Sequence, residues 1–469
     1  MEIGGTDPTA FPYSSRIVAE VAEGAIASGG NVRINAPILR IEDGARIETI
    51  SMGIGDAGDI RVNAAAVEVK GVSPTSVATG PVDILALTPE ELLYSRIASD
   101  NFSAGAGGNV EISTGTLRIL DGAVVGTQTS SGSTGIGGGV SVFASESVLV
   151  RGANAFNPLI WSAIASNNNG SAAGGNVRVA AREAVLADGG RIIAATTGAG
   201  RGGRVDVSVS ESLLASGFNP FLPTFASGIA SNTWGAGAAG DVSVTANELT
   251  VVDGAYVNSQ TLVNREVANR GRGNSGNLRV NARQIEVSGR SIAPDTVSVL
   301  GTSTAGSGNA GDVSISTGTL SVASGGTVLS FSILSGIGED VPADAGSGSG
   351  GNLTVSATEA IAILGIDPIL GFPTNLGTAT LASGNAGTTV INTPRLEVLD
   401  GGSLAVSTVA TGNAGEMRVN AGEILVGGVA ENGSPASIVG SAFILDEPTR
   451  EAFFLPDFPT GDTGELFVR

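Results

Sequence analysis

The sequence predicts an all-β chain, a parallel β-helix (solenoid) of about 12–13 coils with loop excursions on one flank. Three observations carry that expectation. Short runs alternate apolar and polar residues with period two, the mark of strands buried on one face. Glycine-rich corners punctuate those runs. The same turn–strand–turn–strand pattern returns at a spacing of 28 to 50 residues throughout the 469-residue chain. Residues 308–330, GNAGDVSISTGTLSVASGGTVLS, hold one full cycle, with Val313, Ile315, Leu320, Val322 and Val328 separated by Ser and Thr.

Each repeat opens with glycine, usually followed by Asn or Asp. The openings include Gly30-Asn31, Gly58-Asp59, Gly108-Asn109, Gly175-Asn176, Gly240-Asp241, Gly276-Asn277, Gly311-Asp312 and Gly351-Asn352. One kind of repeat then carries an internal Asp-Gly turn, as in LRIEDGARIETIS from Leu39, LRILDGAVVGTQT from Leu117, LTVVDGAYVNSQT from Leu249 and LEVLDGGSLAVST from Leu396. The other kind ends its second strand at a glycine and runs into a longer excursion. The shortest repeats fit three short strands joined by three turns. Asp-Gly also favours two-residue hairpins, but a repeat that opens identically each time places like residues on like residues in a parallel stack.

The domain organisation expected is an irregular segment over 1–23, a repeat shaft over 24–427, a Pro- and Phe-rich excursion over 428–463, and the start of a further coil over 464–469. Inward Val, Ile and Leu are expected to form the core, with Ser, Thr, Asn and charged side chains facing water. Aromatics make up only 4% of the chain, so the interior must be aliphatic.

Composition narrows function. The net charge is −20, which disfavours nucleic acid as a partner, because phosphate contacts need clustered Lys and Arg. There is no Cys and no His, which removes thiolate metal sites and the commonest general base. The first residues, MEIGGTDPTAFPYSS, show no basic start and apolar run of a signal peptide. No run of about 18 apolar residues is present for a membrane helix. No cofactor and no metal ion are expected, and no residue is expected to be catalytic.

The recurring Asp43, Asp121, Asp188, Asp253 and Asp400 read as turn formers, since a turn is needed in every repeat and a catalytic group only once. The opening Asn and Asp read as turn caps, with Asn amides bonding between coils. A calcium-stabilised β-roll is the sharper alternative, but those repeats are nine residues long. The excursions hold the large side chains: ANAFNPLIW (153–161), SGFNPFLPTF (216–225) and GIDPILGFPTN (365–375). Phe156, Trp161, Phe218, Phe221, Phe225 and Trp234 are the candidate binding residues, for a polysaccharide or a cell-surface receptor. The alternative for them is packing on the outside of the stack as satellite clusters.

The cycle at 307–330, together with IASD at 97–100 and IASN at 164–167 and 229–232, resembles the shaft of filamentous-haemagglutinin-like exoproteins of bacterial two-partner secretion, most nearly their cyanobacterial members. The resemblance runs from about Gly24 to Arg469. It implies a right-handed parallel β-helix, export through an outer-membrane barrel partner, and a secreted or cell-surface adhesin without catalytic activity. The family's N-terminal secretion domain, with its NPNG-type motifs, has no counterpart here; Asn157-Pro158 and Asn219-Pro220 are isolated pairs. A fragment or separately encoded shaft piece is therefore expected. A polysaccharide-acting β-helix enzyme, lyase-like and using Arg as base, is the other functional reading.

Overall fold

The computed structural model describes all residues except 5–14, 72–93, 156, 264–270, 293–295, 334–345, 446, 453 and 454. The chain is all-β, and the one α-helix among the described residues is the six-residue Glu447–Ala452. It divides into two compact units, Met1–Ala230 and Ser231–Arg469.

In the first unit the chain passes back and forth between two parallel sheets. One holds long strands: Val32–Glu42, Ile60–Lys70, Val110–Leu120 and Val140–Arg151. The other holds six-residue strands: Arg16–Val21, Arg46–Ser51, Arg96–Asn101, Val124–Thr129, Ala163–Asn168 and Arg191–Thr196. Each of these strands pairs in parallel with its counterpart in the next repeat. Ile60 lies opposite Val110 and Val67 opposite Leu117; Ile47 lies opposite Ile97. Further along, the long strand divides into Val177–Ala181 and Glu183–Ala187, then into Val205–Val209 and Ser212–Ser216. Among the described residues only these two repeats divide the long strand; the others carry one long and one short strand where three short strands were expected.

That register stacks like on like. Leu39, Val67, Leu117, Val148 and Ala184 are buried in one column, and Ile47, Ile97, Val125, Ile164 and Ile192 in the facing one. Burying such columns at about 25 cal/mol per Å² of apolar surface is the main favourable term. The outward residues between them, such as Arg33, Arg61 and Glu111, are exposed, hence the period-two signal.

The second unit repeats the plan. Its long strands are Val242–Val252, Leu278–Ser288, Val313–Ala323, Leu353–Leu364, Thr389–Leu399 and Met417–Gly427, the last pairing with Leu466–Val468. Its short strands run from Tyr256–Thr261 through Val299–Thr304, Thr327–Ile333, Asn375–Leu381 and Ser403–Thr408 to Ser437–Ala442. Val257, Leu300, Val328, Leu376 and Leu404 form its facing column, all fully buried.

Three expectations need correction. Residues 1–23 are not simply irregular, since Glu2–Ile3 pairs with Arg40–Ile41 and Arg16–Val21 with Arg46–Ser51. Residues 428–463 are not one excursion, because Ser437–Ala442 pairs in full register with Ser403–Thr408. And Ser and Thr do not all face water. Arg46–Ser51, Arg96–Asn101 and Ser403–Thr408 are buried at all six positions. Hydroxyls of the short strands point at the glycine corner that follows: Thr49 Oγ1 donates to the Gly58 carbonyl at 2.5 Å, Thr127 Oγ1 to Gly138 at 2.6 Å, and Thr408 Oγ1 to Gly412 at 2.6 Å. A buried hydroxyl needs such a partner. The corners must be glycine because successive corners touch: a Cβ on Gly108, Gly138 or Gly175 would run into the carbonyl of the corner before it.

Candidate functional site

The Asp-Gly turns resolve the first group of candidates. Asp43, Asp121, Asp188, Asp253 and Asp400 all have φ of 53–56°, and Ser324 takes the same place at 51°. Asp tolerates this left-handed conformation better than most residues. The following Gly122, Gly189, Gly254 and Gly325 have φ of 82–90°. Each glycine N–H donates to a hydroxyl from the next excursion: Gly122 to Ser162 at 3.0 Å, Gly189 to Ser227 at 2.9 Å, Gly254 to Ser298 at 2.9 Å and Gly325 to Thr374 at 2.9 Å. Ser162, Ser298 and Thr374 hydroxyls also donate to a carbonyl in their own repeat. The excursions are therefore clipped to the turn beneath them by a recurring Ser/Thr that sequence reading missed.

The opening Asn and Asp form ladders. Asn31 Oδ1 accepts the Asp59 N–H at 2.7 Å, Asp59 Oδ1 that of Asn109 at 2.9 Å, and Asn109 Oδ1 that of Gly139 at 3.0 Å. In the second unit Asp241, Asn277, Asp312 and Asn352 do the same for Asn277, Asp312, Asn352 and Thr388. The Asn amides bond between repeats as expected, their oxygens accepting the next backbone N–H and the Nδ2 groups of Asn109 and Asn352 donating to Asp59 at 3.2 Å and Asp312 at 3.1 Å; Asp fills the acceptor place equally well. Of the seven ladder residues named, only Asp59, Asp241 and Asp312 are carboxylates. Among the described residues no three His, Cys, Asp or Glu gather as metal ligands.

The aromatic candidates separate. Trp161 and Phe225 come together, with ring centroids 5.7 Å apart and planes inclined by 26°. The Arg191 guanidinium lies over both, 4.5 Å from the Trp161 ring and 5.3 Å from that of Phe225, and its Nε donates to the Ala226 carbonyl at 3.0 Å. Arg191 opens the strand Arg191–Thr196, on the sheet face turned away from the aliphatic columns. The two excursions are tied to each other by Asn219 Nδ2 donating to the Pro158 carbonyl at 2.7 Å. Phe218 is half-buried, and Phe221 at the loop tip is 49% exposed. Phe156 lies outside the described residues. Trp234 belongs to the second unit, where it is half-buried and its carbonyl accepts the Gly271 N–H. Comparison with family models, curated proteins and solved structures finds no match. Among the described residues no helix is long and apolar enough to cross a membrane.

Two features on the same chain were not foreseen. The first is a buried charge group in the first unit. Arg96 Nε meets Glu48 Oε1 at 2.5 Å and Arg96 Nη2 meets Asp100 Oδ2 at 2.7 Å, with Arg46 Nη1 3.7 Å from Glu48 Oε1. The Arg96 guanidinium also lies 5.9 Å from the centre of the buried Tyr94 ring. Burial pushes the Asp100 carboxyl up, and the Arg96 charge only partly offsets it. Burial pulls Arg46 down, with Arg96 adding to the effect. Arg96 itself is desolvated, yet Asp100 and Glu48 outweigh that and hold it well above its usual value. Burial likewise raises Tyr94.

The second feature is a groove of about 760 Å³ in the second unit, along the bend of the long strands. Asn281, Ser316, Ser356 and Asn392 line it with small polar groups, and Arg283 and Glu359 stand on either side of Gly318. Asn392 Nδ2 donates to Ser356 Oγ at 3.3 Å, continuing an outward polar row that Asn420 joins at 2.9 Å.

Proposed function

We propose that this chain is a right-handed parallel β-helix serving as the non-catalytic shaft of a secreted or cell-surface adhesin of the filamentous-haemagglutinin-like kind, exported with an outer-membrane barrel partner. The observation that carries the reading is the recurring parallel register, interrupted only by shifts at Thr114/Thr116, Thr317/Thr319 and Ser356/Ala360 among the described long-strand pairs. The same aliphatic columns, hydroxyl bonds and Asn/Asp ladders recur from repeat to repeat, and the carboxylates serve as structural acceptors. A chain of that kind grows by adding repeats and presents a long surface. The handedness, export partner and location come from the family resemblance.

Binding is assigned to the excursions, with Phe221 as the exposed contact and a cell-surface glycan or receptor as the partner. Trp161 and Phe225 hold the loops in place through Arg191. The test is binding of the purified chain to immobilised polysaccharides and whole cells, with polymer length followed in parallel. Binding without shortening of the polymer, lost in Phe221→Ser, supports the reading. Release of shortened or unsaturated sugars overturns it.

That second outcome is the alternative favoured by the polar groove, where Arg283 would be the base of a lyase acting on an acidic polysaccharide and Glu359 its neighbour. Arg283→Ala separates the two, because it abolishes sugar release only if the groove is catalytic.

A further inference from the structure

The strand Leu353–Leu364 has 12 residues where its neighbours Val313–Ala323 and Thr389–Leu399 have 11. The extra residue falls at the groove. Between the pairs Thr317–Ala357 and Thr319–Ala360, both Thr358 and Glu359 stand opposite the single Gly318. This is a β-bulge, which bends a strand and re-aims its side chains. Glycine is required opposite it, because a Cβ on Gly318 would lie 2.7 Å from the Arg283 carbonyl oxygen. That same Cβ position is 3.3 Å from Glu359 Oε1 and 3.6 Å from Arg283 Cγ. A carboxylate and a guanidinium side chain therefore flank a bare backbone floor.

The bulge alone does not explain Arg283. The first unit builds the same bulge in Val140–Arg151, also 12 residues, where Ser145 and Glu146 stand opposite Gly115. There the residue opposing the glycine from the preceding strand is Ala65, and in the second unit it is Arg283. Arg283 and Glu359 are both exposed, and among the described residues neither has an ion-pair partner. Both keep their hydrogen-bonding capacity for something in the groove.

We propose that this groove is a further binding site, for a neutral polysaccharide, and that it acts without the excursions. Its volume of about 760 Å³ lies in the range of about 300–1,000 Å³ of ligand sites. Asn281, Ser316, Ser356 and Asn392 stand in register on successive strands, about 4.8 Å apart. The row runs on to Asn420, past the groove, so an extended polymer meets a polar group at every step. Sugar hydroxyls both donate and accept, which matches a lining of hydroxyls and amides with one donor-only Arg and one acceptor-only Glu. Only Arg283 and Glu359 among the lining residues are charged, and they cancel. In a chain of net charge −20 such a site favours an uncharged polymer over a polyanion. A peptide would need a free strand edge or apolar pockets. The groove crosses strands paired on both sides, and their aliphatic residues, such as Ile315 and Val355, are buried on the other face.

The test is calorimetric titration of the full chain with hexasaccharides of a glucan, a mannan and a galactan, and with a uronate hexasaccharide. The proposal expects at least one neutral probe to bind, and to bind more tightly than the uronate. Arg283→Ala and Glu359→Ala should each weaken that binding by about tenfold or more, since each removes charge-assisted hydrogen bonds. Ser316→Ile, which fills the groove with a side chain that suits a strand, should abolish it. Phe221→Ser should leave it unchanged, which separates this site from the one assigned to the excursions. Circular dichroism confirms that each variant is folded. Failure of every neutral probe to bind overturns the proposal, and so does binding that survives both Arg283→Ala and Ser316→Ile. A uronate that binds as tightly as the neutral probes, or more tightly, also overturns it and favours the lyase reading. Should Ser316→Ile fail to fold, the two charge variants decide.

Discussion

Asp59 accepts the backbone N–H of Asn109 on its Oδ1 at 2.9 Å, across 50 residues of sequence. The Asp59 N–H is itself held by Asn31 Oδ1. One residue is thus a link in a ladder that needs an oxygen acceptor and makes no use of the negative charge. Asp59→Asn should leave stability within about 0.5 kcal/mol. Asp59→Ala, which leaves the Asn109 N–H to water, should cost about 0.5–1.5 kcal/mol. Urea unfolding of the three proteins measures both. An Asp59→Asn protein as unstable as Asp59→Ala would mean that the charge matters.

Gly122 sits at φ 87° with its N–H on Ser162 Oγ, and a Cβ there would press on Asn154. Gly122→Ala should cost at least the ~1–2 kcal/mol of a left-handed residue. Ser162→Ala should cost about 1–3 kcal/mol, because the buried Gly122 N–H loses its acceptor. Thermal unfolding checks both, and a neutral Ser162→Ala would show that the clip between turn and excursion contributes nothing.

Trp161, Phe225 and Phe221 are predicted to behave differently although all three lie in excursions. Arg191→Ala removes the cation from the Trp161–Phe225 pair and should destabilise by about 1–2 kcal/mol. It should also shift the Trp161 emission, read in a Trp234→Phe background. Phe221→Ser should leave stability unchanged and lower ligand binding. Equal effects on stability at Phe221 and Phe225 would contradict the division into anchor and contact.

The buried Asp100 sets a pH dependence. Its carboxyl titrates above the ordinary value in the folded chain, so between the unfolded and folded pKa the folded state binds more protons. Its contribution is fully present below the unfolded pKa, near about 4, and is lost as pH rises through the folded one. The stability of the unaltered chain relative to Asp100→Asn should therefore be greater at low pH and fall toward neutrality. Denaturant titrations of both proteins from acid to neutral pH give that difference. A difference that grows with pH would mean that Arg96 and Arg46 win over burial.

The sequence made the long strands legible because they are buried on one face only: Leu39 and Ile41 are fully buried while Arg40 between them is exposed. The turn role of Asp121 and the repeated openings were legible for the same reason, since local chemistry decides them. The short strands were not. Thr49 and Ser51 are polar in sequence yet buried, because the carbonyls that satisfy them arrive from Gly58 and Gly55 in the next corner. Arg16–Val21 was hidden in a segment read as irregular and Ser437–Ala442 in one read as a Pro- and Phe-rich excursion, since their partners are set by register and not by their own composition. Arg191 was missed because a lone Arg at a strand start carries no sign of the two rings that reach it from loops about 30 residues away on either side.

The measurement that tests the account most directly is disulfide formation between Arg61→Cys and Glu111→Cys in this cysteine-free chain. The two positions are directly opposed in the parallel register, with exposed side chains. The account predicts that this pair closes readily, whereas Arg61→Cys with Arg118→Cys stays reduced, because Arg118 stands opposite Glu68 at the far end of the strand. Closure of the Arg61–Arg118 pair, with Arg61–Glu111 left open, would mean that the strands run antiparallel and that the stacked repeat is wrong.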